Sequence, residues 1–184
     1  QYLATNLCKE ALINTNAFNC SVVFANANTG EILISAEERG DKESINIDLI
    51  STRAQYEPGS SLKIFSIGLA LEQGLLDEKT EYYVEDTIEL IENSCQKDFK
   101  GYKGCYKDFL KHEPYNLSVR EIIERSSNVG TIIATKDLNI NDLEEFLSKF
   151  GFSKKTGIEL SGESKGSFDP NKTCTTCLSS LSIG

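Results

Sequence analysis

The chain has 184 residues, a formal net charge of −9, six cysteines, one histidine and no methionine. That length can bury one sizeable core and reads as a single domain, while the acidic balance argues against a nucleic-acid partner, which needs a Lys and Arg surplus. No stretch approaches the roughly 20 apolar residues of a membrane helix, and a start at Gln1 without Met is expected inside a longer or processed protein.

Residues 2–14 place Leu3, Leu7, Ala11 and Leu12 at helical spacing, and the polar run from Asn14 to Asn19 ends that helix. Cys20 to Ala25 reads as a short apolar strand, Asn28-Thr29-Gly30 as a turn, and Glu31 to Ala36 as the returning strand. Glu37 to Glu43 is charged and expected as an exposed loop. Pro58 and Gly59 break the chain before Leu62 to Leu76, a stretch too apolar for a surface helix and too long for a strand, hence a helix buried on most sides. Residues 77–115 are polar, with little period around Tyr82-Tyr83, and are expected as an irregular excursion. Ser118 and Glu121 form a capping box that opens a helix running out near Arg125. Val129 to Ala134 is helical again, so Ser126 and Asn128 fall on a tight inter-helix corner. A helix from Asn141 to Phe150 sets Leu143, Phe146, Leu147 and Phe150 on one face and stops at Gly151. A helix, two strands and a helical block is the order expected of an α/β (α+β) chain in which an antiparallel sheet packs on helices.

The chemistry concentrates in two places. Ser60 and Lys63 stand three residues apart at the start of an apolar helix, where residues share a face and amide N–H groups are free. Burial lowers a lysine pKa, so a neutral Lys63 amine can take the Ser60 proton. The corner Ser126-Ser127-Asn128 can aim short polar side chains into a cleft, or its members can simply cap helices. His112, in Leu110-Lys111-His112-Glu113-Pro114, has a surface-like setting outside any motif, which makes a serine-histidine-aspartate triad improbable and favours a lysine base.

With Tyr56-Glu57-Pro58-Gly59-Ser60, Ser126-Ser127-Asn128-Val129-Gly130, the Asn28-Thr29-Gly30-Glu31-Ile32-Leu33 hairpin, Phe150-Gly151-Phe152, Thr156-Gly157-Ile158-Glu159-Leu160, Gly162-Glu163 and Leu181-Ser182-Ile183-Gly184 in this order, the chain resembles the transpeptidase domain of the class B penicillin-binding proteins. The Ser-Ser-Asn form looks most like the septal, division-type members. The resemblance implies the penicillin-binding-protein transpeptidase and serine β-lactamase-like fold over residues 1–184, unfinished at the C-terminus. An N-terminal membrane anchor and a membrane-proximal domain are expected outside these residues. It also implies a peptidoglycan D,D-transpeptidase on the extracytoplasmic, periplasmic face of the inner membrane, with no cofactor and no metal. Expected partners are stem peptides ending in D-Ala-D-Ala, β-lactam antibiotics and membrane proteins of division or elongation. Carried onto this chain, Ser60 is the nucleophile, Lys63 its base, Ser126 the proton relay to the departing amine, and Asn128 the group that orients the peptide backbone.

The family's third motif, a Lys-(Thr/Ser)-Gly on the strand lining the cleft, is expected well beyond the Ser-Ile-Gly segment. Lys155-Thr156-Gly157 matches its letters but directly follows a helix and is read as a structural turn. A chain lacking that strand is expected to acylate penicillin poorly or not at all. Cys95 with Cys105 is the most natural disulfide, whereas Cys8 and Cys20 could equally be small buried hydrophobes. Cys174-Thr175-Thr176-Cys177 is a lone C-x-x-C without the second ligand pair that zinc needs or the fold around a redox motif. A serine β-lactamase or β-lactam sensor, and an inactive cell-wall scaffold, are the alternative readings.

Overall fold

The computed structural model describes residues 1–40, 50–96, 104–167, 174 and 176–184, which fall into two compact units, Gln1–Tyr56 with Lys155–Gly166 and Glu57–Lys154 with Ser167–Gly184.

In the first unit, helix α1 (Tyr2–Thr15) packs on an antiparallel hairpin of β1 (Asn19–Ala25) and β2 (Ile32–Arg39). The Asn28-Thr29-Gly30 turn forms as expected: Gly30 takes φ +75°, and its N–H donates to the Asn26 carbonyl at 2.8 Å. The buried stripe of α1 is Ala4, Cys8 and Leu12, whereas Leu3 and Leu7 are exposed, contrary to the apolar periodicity. The reason is covalent: Cys8 is bonded to Cys20 of β1, which fixes the face that α1 turns to the hairpin. That bond also decides between the two readings of these cysteines. The charged run does not begin a loop at Glu37, because Glu37, Glu38 and Arg39 pair with Ser21, Cys20 and Asn19. Glu37 then accepts from both the backbone N–H and the hydroxyl of Ser51, in the short helix α2 (Ile50–Arg53). Positions 41–43 of that run lie outside the described residues.

Lys155-Thr156-Gly157 also belongs to the first unit, as irregular chain folded around a carboxylate. The Thr156 N–H and hydroxyl each reach Glu163 Oε1 at 2.6 Å. Those bonds hold the Glu163 carboxyl below its ordinary pKa. A carboxylate-anchored loop is the structural turn that the sequence implied.

The second unit holds the apolar core. The expected helix from Leu62 divides into a 3-10 turn, Gly59–Leu62, and helix α3 (Lys63–Glu72). It closes early because Gly74, at φ +67°, lets the Leu75 N–H turn back to the Ala70 carbonyl. The expected irregular excursion contains four short strands, β3 (Glu81–Val84), β4 (Thr87–Glu89), β5 (Cys105–Lys107) and β6 (Tyr115–Ser118). They pair antiparallel as β3 with β6 and β4 with β5, and Cys95–Cys105 staples the second pair. Strands of three or four residues are too short to show a period in sequence.

Helix α4 (Val119–Arg125) opens on the expected capping box and is followed by α5 (Asn128–Thr135) and α6 (Ile140–Lys149). Six of the eight residues of α5 are buried, so it runs through the middle of this unit, against α3, α4, β3 and β5. The hydroxyls of its buried Thr131 and Thr135 are satisfied by carbonyls one turn back, at 2.7 and 2.8 Å. Leu143 and Leu147 of α6 are buried, while Phe146 and Phe150 join Phe65 in edge-to-face contacts. Helix α7 (Cys177–Ile183) packs on α3, α5 and the 3-10 turn. Cys177 at its start is bonded to Cys174, which removes both thiolates as metal ligands.

Candidate active site

Ser60 is the second residue of the 3-10 turn and is exposed. Its carbonyl accepts the backbone N–H of Lys63, the first residue of α3, so the two sit one tight turn apart. The turn is backed by glycine on glycine: a Cβ on Gly184 would lie 1.9 Å from the Gly59 carbonyl oxygen. Behind it, the fully buried Ser66 hydroxyl lies 2.8 Å from the Ser182 carbonyl and ties α3 to α7. The turn that carries Ser60 is thus braced on two sides.

Lys63 is 2% exposed. Its Nζ reaches the Ser126 carbonyl at 2.5 Å, Asn128 Oδ1 at 2.6 Å and Ser126 Oγ at 3.2 Å. Burial pushes the Lys63 pKa below the usual lysine value, and the Asp108 carboxylate partly opposes that shift. Of the three oxygens only the Ser126 hydroxyl can reverse its role and donate. A neutral amine therefore keeps two N–H bonds, to the Ser126 carbonyl and Asn128, and turns its lone pair to the Ser126 proton. The geometry supports both protonation states with little movement.

The corner carrying Ser126 and Asn128 follows from local sequence. Ser126 adopts φ 54°, ψ 38°. Its N–H and that of Ser127 close on the Ile123 and Ile122 carbonyls, both at 3.0 Å, the pattern in which a left-handed residue ends a helix. Ser127 then caps α5, its Oγ accepting the Gly130 N–H at 2.8 Å. The capping role weighed for Ser126 holds for its backbone, which ends α4, while the side-chain cap of α5 comes from Ser127, which leaves the side chains of Ser126 and Asn128 to Lys63. Gly130 permits the fold of the corner, because a Cβ there would lie 2.9 Å from both Ile122 Cγ1 and Ser127 Oγ. The amide of Asn128 is fixed in orientation: Oδ1 accepts from Lys63 and Nδ2 donates to the Lys107 carbonyl at 2.8 Å.

Of the four residues singled out from sequence, Lys63, Ser126 and Asn128 are joined by side-chain hydrogen bonds, and Ser60 joins them through the backbone of its turn. Sequence reasoning did not single out Asp108, and it set His112 outside any motif in a surface-like setting. His112 is not in a surface setting; its side chain is 15% exposed and that of Asp108 7%. Asp108 bonds Ser127 and Val129, and His112 bonds Asp108, contacts between distant segments that no local spacing announces.

A family model for the penicillin binding protein transpeptidase domain matches residues 20–184. The chain is 26% identical over 181 residues to penicillin-binding protein PbpB of Mycobacterium tuberculosis, covering 92% of this chain and 25% of that protein. It is 29% identical over 168 residues to peptidoglycan D,D-transpeptidase FtsI of Buchnera aphidicola, covering 87% of this chain and 27% of that one. The chain thus spans about a quarter of the length of these curated relatives. Among solved structures, apo penicillin-binding protein 3 of M. tuberculosis superposes with a TM-score of 0.78 at 25% identity, over 100% of this chain and 41% of that one. A structure of the same protein complexed with ampicillin gives the same TM-score and identity.

Proposed function

The chain belongs to the penicillin-binding protein transpeptidase family, and from that premise we propose that it carries the acyl-transfer machinery of a peptidoglycan D,D-transpeptidase. The observation that carries this reading is the Lys63 amine, withdrawn from water and bonded to both Ser126 and Asn128.

Neutral Lys63 swings its lone pair from Ser126 to Ser60 and takes the Ser60 proton, and the Ser60 oxygen attacks the carbonyl between the two terminal D-alanines of a stem peptide. Backbone amides at the start of the turn, the Ser60 N–H among them, receive the negative charge on the carbonyl oxygen. The Ser126 hydroxyl passes the proton from Lys63 to the departing D-alanine amine, the exchange its donor-or-acceptor geometry supports. Asn128 keeps one N–H and one lone pair beyond its bonds to Lys107 and Lys63, and uses them on the backbone of the bound peptide. The amine of a neighbouring stem then resolves the acyl-enzyme, and a β-lactam stalls at that stage. The relatives support a β-lactam target, since the M. tuberculosis structure contains ampicillin. Three disulfides suit an oxidising, extracytoplasmic compartment. Among the described residues no helix is long and apolar enough to cross a membrane.

Fluorescent penicillin added to the full-length protein tests the proposal. One label per chain on Ser60 is expected, lost in Ser60→Ala and slowed about 100- to 10,000-fold in Lys63→Ala, the range for removing a general base. Rapid release of hydrolysed penicillin would make the protein a β-lactamase. A folded full-length chain that takes no label would be a scaffold.

A further inference from the structure

The Ser126–Asn128 corner is gripped from outside by the segment between β5 and β6. Asp108 Oδ1 accepts the Val129 N–H at 3.0 Å, and Oδ2 accepts the Ser127 hydroxyl at 2.8 Å. The Ser127 proton is available for that bond because its oxygen already receives the Gly130 N–H. His112 Nε2 lies 3.1 Å from the same Oδ2, and its Nδ1 lies 2.9 Å from the Glu113 carbonyl. A carbonyl and a carboxylate only accept. Both ring nitrogens thus face acceptors, so both contacts are satisfied as hydrogen bonds when the ring is an imidazolium paired with Asp108. The Tyr115 ring stacks on it at 4.1 Å and 14°, and the Arg125 guanidinium sits 5.1 Å from the same ring. Arg125 directly precedes Ser126, so the clamp holds the corner at both ends.

We propose that Asp108 and His112 are positioning residues for acyl transfer: their ion pair locks the Asp108 carboxylate onto Ser127 and Val129, and so holds Ser126 and Asn128 against the Lys63 amine. This rests on the acyl-transfer reading above. Neither residue touches the reacting atoms; each acts through the corner.

The charges around the pair decide its effect on Lys63. Asp108 favours the Lys63 ammonium, and His112 offsets that carboxylate. Burial pulls the His112 pKa down, but the Glu113 carbonyl and the Asp108 and Asp86 carboxylates outweigh it and hold the value above the ordinary one. Lys107 and Lys111 line the cavity of about 440 Å³ beside Asp86 and Asp108. When His112 loses its proton, one of its two bonds breaks and the Asp108 charge is left to act on Lys63.

The test is the pH profile of Ser60 acylation by labelled penicillin in the full-length protein, with the Lys63 titration followed by NMR of labelled lysine. Misplacing a catalytic group can cost about 100-fold, so Asp108→Asn, which turns an amide N–H toward two donors, is expected to slow acylation about 10- to 100-fold. His112→Asn keeps a donor near the Nδ1 position and loses the one facing Asp108; His112→Gln does the reverse. Gln is expected to restore most of the rate and Asn little of it, with the Lys63 midpoint raised in His112→Asn and lowered in Asp108→Asn. Arg120→Ala, on an exposed pair with Glu124, is the unaffected control. Equal behaviour of Asn and Gln, or an unmoved Lys63 midpoint in both the Asp108 and His112→Asn variants, would overturn the proposal. If the parent protein takes no label, the acyl-transfer reading fails, and an unmoved Lys63 titration then separately rejects the clamp.

Discussion

At Lys63, a buried amine keeps its proton less tightly than it would in the unfolded chain. The folded pKa is depressed, so this group destabilises the protein below that value, and the cost fades as pH rises toward the free lysine value of about 10.4. Stability on the alkaline side is therefore expected to rise relative to a Lys63→Met variant, by about 1.4 kcal/mol per unit of depression. Chemical denaturation of both proteins across that range checks it, and parallel curves would remove the argument for a neutral base. The same residue shows what sequence can and cannot give. Ser60 and Lys63 are legible because a one-turn spacing is a local property. That the Lys63 amine bonds two residues of a distant corner depends on α3 lying against α5, which only the packed core provides.

The α4–α5 corner is the element on which the site turns. Its capping box was readable from Ser118 and Glu121, and its sharpness from Ser126-Ser127-Asn128 between two apolar runs. The left-handed backbone at Ser126 was not, because serine gives no signal of positive φ. A non-glycine residue there costs on the order of 1 kcal/mol that glycine avoids. Ser126→Gly is thus expected to leave the protein as stable or up to about 1 kcal/mol more so, while loss of the proton relay proposed for its hydroxyl is expected to slow acylation about 100-fold or more. Thermal unfolding and penicillin labelling of one sample read both effects, and a marked loss of stability would assign the hydroxyl a structural role. The clamp adds a pH signature of the opposite sense to that of Lys63. His112 has a raised folded pKa, so its stabilisation is fully present below about 6.5 and is lost as pH rises through the folded value. His112→Asn should flatten that decline. The contacts of Asp108 and His112 escaped the sequence reading because their segment lies between strands too short to show a period, and their partners lie on the corner beyond β6 and α4.

Across the whole molecule the two units are held by different means. The apolar cluster, from Leu62 to Leu147 with Leu178 and Leu181 against it, lies within the second unit, as do Ser60, Lys63, Ser126 and Asn128. The buried hydrophobic residues of the first unit are Ala4, Cys8, Leu12 and Ala36 among those described, while Leu3, Leu7, Val23, Phe24 and Leu33 stay exposed. Four small burials cannot offset the backbone entropy of a helix and a hairpin, which costs about 1–2 kcal/mol per ordered residue. A covalent staple between the helix and the hairpin makes up part of that deficit. Cys8 and Cys20 are 12 residues apart, close to the 15-residue loop for which constraint of the unfolded chain is worth about 3 kcal/mol. Replacing both with alanine is expected to lower the protection of α1, β1 and β2 amides against hydrogen exchange by about 2–3 kcal/mol. Amides of α3 and α5, inside the core, should keep theirs. Equal loss in both units would show that they open together and that the disulfide supports the molecule as one cooperative body; no loss in α1 would show that its packed face of Ala4, Cys8 and Leu12 holds without the bond.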